Sequence, residues 1–219
     1  MLEANIEKIF KYLAERSVTL VAVTKTVAPE RIEVVLQAGV TDVGESRIQE
    51  ASLKFAALGP RLVGVRKHLI GHLQTNKAKK AVEYFDLIQS VDRIALAEVI
   101  NMCAGLRGKI QDCLLEVKVS DEETKHGIAP AELAELYTQV LKLKNIRICG
   151  LMAMAPFFED PELSRVFFKK ARQLFDEVRR MFPHPEFTIL SMGMSNDYRI
   201  AVEEGSTMVR IGTALFAEK

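Results

Sequence analysis

Eight short apolar runs, at residues 20–23, 41–44, 68–71, 85–91, 113–119, 146–154, 187–191 and 206–212, are separated by longer amphipathic segments. A strand that is apolar along its whole length has no face to offer water, so it is covered on both sides, as in a parallel sheet wrapped in helices. The intervening segments carry helix signals. Pro29 opens "PERIEVVLQAG", which ends at Gly39, and Pro130 opens "PAELAELYTQVLKL". A longer segment starts near Asp160 in "DPELSRVFFKKARQLFDEVRRMF"; Val166, Phe167, Ala171, Leu174, Phe175, Val178 and Met181 are read as its inner face. Eight strand-helix units in succession favour a closed (β/α)8 barrel over an open doubly wound sheet, in a chain whose 219 residues lie near the lower end for that fold. No linker or low-complexity stretch interrupts the pattern, so residues 1–219 are expected to form a single domain.

The formal net charge is +1, with basic and acidic side chains interspersed, which leaves no electrostatic footprint for nucleic acid. Cys103, Cys113 and Cys149 stand far apart with no CxxC pair, against both a disulfide framework and a thiolate metal site. They read as reduced thiols. The opening "MLEANIEKIFKYLAERSV" alternates charged with apolar residues and lacks a secretory apolar core, and no run approaches the roughly 20 apolar residues of a membrane span. A cytoplasmic protein without membrane attachment is expected.

In a (β/α)8 barrel the chemistry sits at the C-terminal ends of the strands. The first run reads "LVAVTKT", so Lys25 leaves strand one. A lysine held at an apolar mouth loses hydration of its ammonium, which favours the neutral amine that attacks a carbonyl to form a Schiff base. From the lysine alone, a side chain snorkelling to solvent is the better reading, and the other strand exits decide between the two. After strand seven, "SMGMSNDY" places Ser191, Gly193, Ser195 and Asn196 in a small polar turn leading into a helix, a ready anion site. After strand eight, "VRIGT" supplies Gly212 and Thr213; the loops after strands seven and eight are the frequent phosphate site of this fold. A ligand with a phosphate at one end and a carbonyl at the other satisfies both, which admits pyridoxal 5′-phosphate or a phosphorylated sugar in a Schiff-base aldolase. Arg210, two residues before Gly212, separates them if its guanidinium meets a pyridine nitrogen and keeps it unprotonated. On spacing alone it equally pairs with a carboxylate at the mouth.

"LVAVTKT", "VGESRIQEA", "HLIGHLQTNK", "GLMAMAP", "SMGMSNDY" and "GSTMVRIGTALF" resemble, in order and spacing, the signature segments of the pyridoxal phosphate homeostasis proteins. The resemblance spans roughly residues 18–216. It implies the barrel of the alanine racemase N-terminal domain, a covalently held pyridoxal phosphate, no established catalytic activity, and a role in buffering the cofactor and delivering it to apo-enzymes. It further implies a monomer or weak dimer. Carried over by motif, Lys25 corresponds to the Schiff-base lysine, Ser191, Met192, Gly193, Ser195, Gly212 and Thr213 to the phosphate cradle, and Arg210 to the arginine facing the pyridine nitrogen. Ser46 stands where the family usually has Asn, replacing a cofactor-contacting amide by a shorter hydroxyl. The ending "LFAEK" is also shorter than usual. The chief rival is a racemase-like enzyme, which needs a base on each face of the substrate carbon, whereas Lys25 supplies one. In the racemases the other is a tyrosine, and Tyr12, Tyr84, Tyr137 and Tyr198 lie at no readable strand exit here.

His68 and His72 in "HLIGH" have a metal-like spacing, but read as strand they share a face two pleats apart without further ligands, so no metal is expected. His72 is placed at the mouth. Asn76, Lys77, Lys79 and Lys80 form a solvated basic face or an entry site for a phosphorylated ligand. "DEETKHGI" at 121–128 is an exposed loop or a lid. Met152, Met154, Met192 and Met194 read as core, with Met192 a candidate to pack against the cofactor.

Overall fold

The computed structural model describes residues 2–120, 122 and 126–217. Along the chain run α1 (Leu2–Ala14), β1 (Thr19–Val23), α2 (Pro29–Gln37), β2 (Asp42–Glu45), α3 (Ile48–Leu58), β3 (Arg66–Leu69), α4 (Ala78–Tyr84), β4 (Leu87–Val91) and α5 (Ile94–Gly105). They are followed by β5 (Gln111–Val117), α6 (Leu133–Val140), β6 (Ile146–Ala153), α7 (Arg165–Met181), β7 (Ile189–Ser191), α8 (Tyr198–Glu203), β8 (Met208–Ile211) and α9 (Thr213–Phe216). The eight strands are parallel, hydrogen-bond in chain order, and close where β8 meets β1 with Val21 beside Arg210. Each of the eight apolar runs overlaps one of these strands.

Alternation along each strand divides the apolar residues between two cores. Val21, Leu87, Leu114, Cys149, Met152 and Met208 come from five strands and pack together inside the barrel. Leu20 and Ala22 point the other way, onto Ile6, Ile9 and Leu13 of α1 and Ile32 and Val35 of α2. Each such large side chain contributes about 1.5–3 kcal/mol by leaving water, which is why a run with no polar face becomes a central strand. Between β5 and β6 the register slips by one residue, leaving Cys149 as the extra residue of a bulge. Gly150 makes that bulge possible: its φ is +154°, and a Cβ there would lie 1.7 Å from the Ile189 carbonyl oxygen.

The inner face of α7 differs from the sequence reading. Phe168, Ala171, Phe175 and Val178 are buried, while Val166 and Met181 are 64% and 50% exposed. The buried set steps by three, four and three residues, and at about 100° per residue Val166 lies roughly 200° from Phe168. Apolar character alone had recruited both residues to the wrong side. Among the described residues no helix is long and apolar enough to cross a membrane.

Candidate functional site

The C-terminal ends of the strands open on one face. Lys25 follows β1, Ser46 follows β2, residues 192–195 follow β7, and Gly212 and Thr213 follow β8. Val21 faces inward while Leu20 and Ala22 face outward, and Lys25 lies in the turn that follows β1, at the same end of the barrel as the other strand exits. Lys25 is exposed, so the burial anticipated for it is absent. Its neighbours are tied down instead. The Thr24 hydroxyl donates to Glu45 Oε1 at 2.8 Å, and the Thr26 N–H donates to Glu50 Oε1 at 2.6 Å. Thr26 has φ +61°, a conformation that costs a β-branched residue on the order of 1–3 kcal/mol and survives only where its surroundings impose it.

The turn after β7 and the exit of β8 form one unit. Ser195 Oγ accepts from the N–H groups of Gly212 (3.2 Å) and Ala214 (3.1 Å), so this hydroxyl crowns the start of α9 and keeps its own proton to give. Gly193, at φ +93°, is demanded by packing as well as conformation: a Cβ there would stand 2.5 Å from the Ala201 Cβ. Its carbonyl accepts from the Arg210 N–H at 3.0 Å. Thr213 is exposed beside it. Three residues of this stretch do something other than was read from the motif. The Met192 side chain is buried in the outer core, its N–H donates to the Met208 carbonyl and its own carbonyl accepts the Ser206 hydroxyl. The Asn196 amide donates to the Phe158 carbonyl at 2.8 Å. Ser191, the last residue of β7, points into the lumen under the mouth rather than into the turn. Strand alternation decides that, and the motif alone does not reveal it.

Arg210 is 3% exposed, and its guanidinium donates to neutral groups: Nη1 to Ser191 Oγ at 2.7 Å and Nη2 to the Ala153 carbonyl at 3.0 Å. Burial brings its pKa down to about 10, against the opposing charges of Glu116 and Asp197, so it remains a cation at neutral pH. From Arg210 a chain of hydrogen bonds descends through the lumen. Ser191 donates to Gln89 Oε1 (2.7 Å), Gln89 Nε2 donates to His68 Nδ1 (2.9 Å), and His68 Nε2 donates to Asp42 Oδ1 (2.8 Å). The amide orientation and the His68 tautomer are assigned from this pattern, in which every bond runs the same way from guanidinium to carboxylate. Burial lowers the His68 pKa despite Asp42, which keeps the ring neutral. Burial opposes the Asp42 charge too, but the bonds from His68 and Thr41 outweigh it and hold the carboxyl below its ordinary range. His68 is thus a fully buried structural residue.

Glu116, one residue before the end of β5, was not singled out from the sequence. It is 3% exposed, and its Oε2 has no partner among the described residues. Burial, then the negative charge of Asp92, pushes it up to about 7, and Arg210 partly opposes them. The available signal was a carboxylate inside the apolar run 113–119, at the parity of Leu114.

β3 ends at Leu69, so His72 does not share a strand face with His68. His72 lies in the following loop, its ring stacked on His126 with centroids 3.8 Å apart and planes 17° apart, and its Nδ1 3.7 Å from Asp92 Oδ2. Ligand atoms of His72, Asp92 and His126 all lie within 4.8 Å of one another, so the expectation that His72 has no further potential ligands is corrected by the fold; Asp92 Oδ1 is engaged by Arg93 at 2.6 Å. Ser46 is half-buried between β2 and α3. Asn76, Lys79 and Lys80 are exposed where α4 begins and Lys77 is half-buried. Of the loop at 121–128, residues 121 and 123–125 lie outside the described residues, and with them the proposed lid.

Comparison with known proteins gives consistent matches. The family model for the alanine racemase N-terminal domain matches residues 1–219. A pyridoxal phosphate homeostasis protein of Aquifex aeolicus is 43% identical over 209 residues, covering 94% of this chain and 89% of its own. PipY of Synechococcus elongatus, solved with PLP bound, superimposes with a TM-score of 0.92 at 38% identity, covering 99% of this chain and 100% of its own. An alanine racemase of Clostridium difficile shares the fold, with a TM-score of 0.79 at 17% identity, and the match takes up 56% of its length.

Proposed function

The chain belongs to the pyridoxal phosphate homeostasis proteins, within the alanine racemase N-terminal domain family, and from that premise we propose that it holds pyridoxal 5′-phosphate on Lys25 as a Schiff base, for intracellular storage and delivery to apo-enzymes. The observation that carries this reading is Arg210: a buried cation whose guanidinium donates to neutral groups, lying under strand ends that carry Lys25 and, adjacent to it in the closed sheet, the β8 and β7 exits.

The residues present fit the ligand. Ser195 has a hydroxyl proton free for a phosphate oxygen, and the backbone at Gly193, Gly212 and Thr213 surrounds it. Ser46 stands at the rim on the β2 side. Pyridoxal phosphate would supply an aldehyde and a ring whose electron-withdrawing power depends on protonation of its nitrogen. Arg210 donates hydrogen bonds and keeps its own protons, so it stabilises an unprotonated nitrogen and leaves the ring a weak electron sink. Lys25 would hold the cofactor by condensation of its neutral amine with that aldehyde, both amine hydrogens leaving with the carbonyl oxygen as water.

Storage rather than turnover is further supported by the tyrosines. Tyr137 packs on Phe182 and Phe187, Tyr12 meets Tyr198 edge-on, and Tyr84 lies against the outer core, so all four serve the helix layer. None is positioned as a second base opposite Lys25.

The test is the visible absorption of purified protein mixed with pyridoxal phosphate and desalted, beside Lys25→Ala, followed by assays with D- and L-amino acids. A retained Schiff-base band in wild type alone, without turnover, is the expected result. Turnover lost in Lys25→Ala would replace the carrier by a racemase-like enzyme. A folded wild type retaining no band would overturn the cofactor assignment and bring forward a sugar-phosphate aldolase.

A further inference from the structure

Lys54 is 9% exposed, an unusual place for an ammonium on a helix that packs against a barrel. Its Nζ donates to Glu45 Oε1 at 2.9 Å, to Glu50 Oε1 at 2.6 Å and to the Thr24 carbonyl, which uses all three of its N–H bonds. The same two carboxylates reach the residues on either side of Lys25. Glu45 Oε1 also accepts the Thr24 hydroxyl, and Glu50 Oε1 also accepts the Thr26 N–H. The clamp therefore closes on both neighbours of Lys25 and leaves its side chain untouched.

Resting on the Lys25 reading above, we propose that Lys54, bridged by Glu45 and Glu50, is a positioning residue that fixes the backbone of Thr24–Lys25–Thr26 so that the Lys25 amine meets the aldehyde. Lys25 is exposed, so packing around its side chain does not aim it. What remains to aim it is the direction in which its Cα–Cβ bond leaves the chain. That direction is set between Thr24, pinned through its hydroxyl, carbonyl and N–H (to Gly44), and Thr26, kept in a left-handed conformation that a β-branched residue avoids when free. An apolar side chain at position 54 would fill the same space more cheaply if packing were the only purpose, since a buried ion pair gives up hydration that it seldom recovers.

The experiment compares two ligands on one variant. Lys54→Met keeps the aliphatic stem and removes the donors. Because it strands Glu45, Glu45→Met/Lys54→Met serves as a second variant without an unpaired buried charge. Pyridoxal phosphate reports bond formation through the Schiff-base absorbance. Pyridoxine 5′-phosphate, with a hydroxymethyl group in place of the aldehyde, reports the phosphate and ring contacts alone. In variants whose thermal unfolding remains cooperative, Schiff-base formation is expected to slow by about 10- to 100-fold, the scale of a roughly 1 Å misplacement, while pyridoxine phosphate binds as in wild type. Equal weakening of both ligands, or unchanged Schiff-base formation, would reduce the cluster to a structural one and overturn the proposal. A wild type that forms no Schiff base while still binding pyridoxine phosphate would remove the Lys25 reading, and this inference with it.

Discussion

One carboxyl illustrates how burial alone rewrites a residue. Glu116 carries an ordinary carboxylate's pKa of 4.5 in the unfolded chain and about 7 in the barrel. Between those values the native state holds a proton that the unfolded state has lost, so stability falls as pH rises from about 4.5 to 7 and that contribution is gone above the folded value. The expected size is of order 3 kcal/mol, and Glu116→Gln should flatten that part of the urea midpoint against pH. A variant with the wild-type slope would mean that the carboxyl reaches water. Arg210 is the complementary case. Its guanidinium stays charged although buried, because its intrinsic pKa is so high that even desolvation leaves it near 10. Its place in the last apolar run was legible as a lone charge among Met208, Val209 and Ile211. Its partners Ser191 and Ala153 were not, since they come from other strands.

At the scale of elements, the hydrogen-bonded chain through the lumen links β8, β7, β4, β3 and β2 and should respond as a unit. Gln89→Leu removes both its amide bonds, leaving His68 Nδ1 and the Ser191 hydroxyl each short of a partner in a dry interior. The expected loss is about 2–5 kcal/mol by chemical denaturation, well beyond that of an exposed amide, because each stranded group forfeits roughly 1–3 kcal/mol. Helix α7 offers a second test. Phe175→Ala should cost about 3–5 kcal/mol, whereas Val166→Ala, on the exposed side, should stay within about 0.5 kcal/mol. Similar losses at both positions would restore the face inferred from apolarity alone. That helix shows where sequence periodicity misleads: Val166, Phe167, Phe168, Leu174 and Phe175 supply apolar residues over an arc of about 200°, and which part of it is buried depends on the sheet beneath.

For the whole molecule, a ligand that joins several strand ends stabilises the closed barrel as one body. At pyridoxal phosphate concentrations near 100 times its dissociation constant, the wild type should gain about 2.7 kcal/mol against unfolding, visible as a higher Tm. Lys25→Ala should gain less at the same concentration, since only the phosphate and ring contacts remain to it; an identical shift would argue against a bond to Lys25. The eight strands, their parallel order and the strand ends that carry Lys25, Gly193, Ser195 and Gly212 were readable in the chain, because strand period, helix signals and loop chemistry are local. Pairings between distant segments are not. The sharing of Arg210 by Ser191 and Ala153, the burial of Glu116 with an oxygen that has no partner among the described residues, and the clamp of Lys54 around Lys25 each depend on which side chains closure of the barrel brings within about 3 Å, the range where hydrogen bonds form. Local sequence determined the elements and the chemical character of their exits, and only the tertiary structure decided which polar groups the closed sheet would bury together.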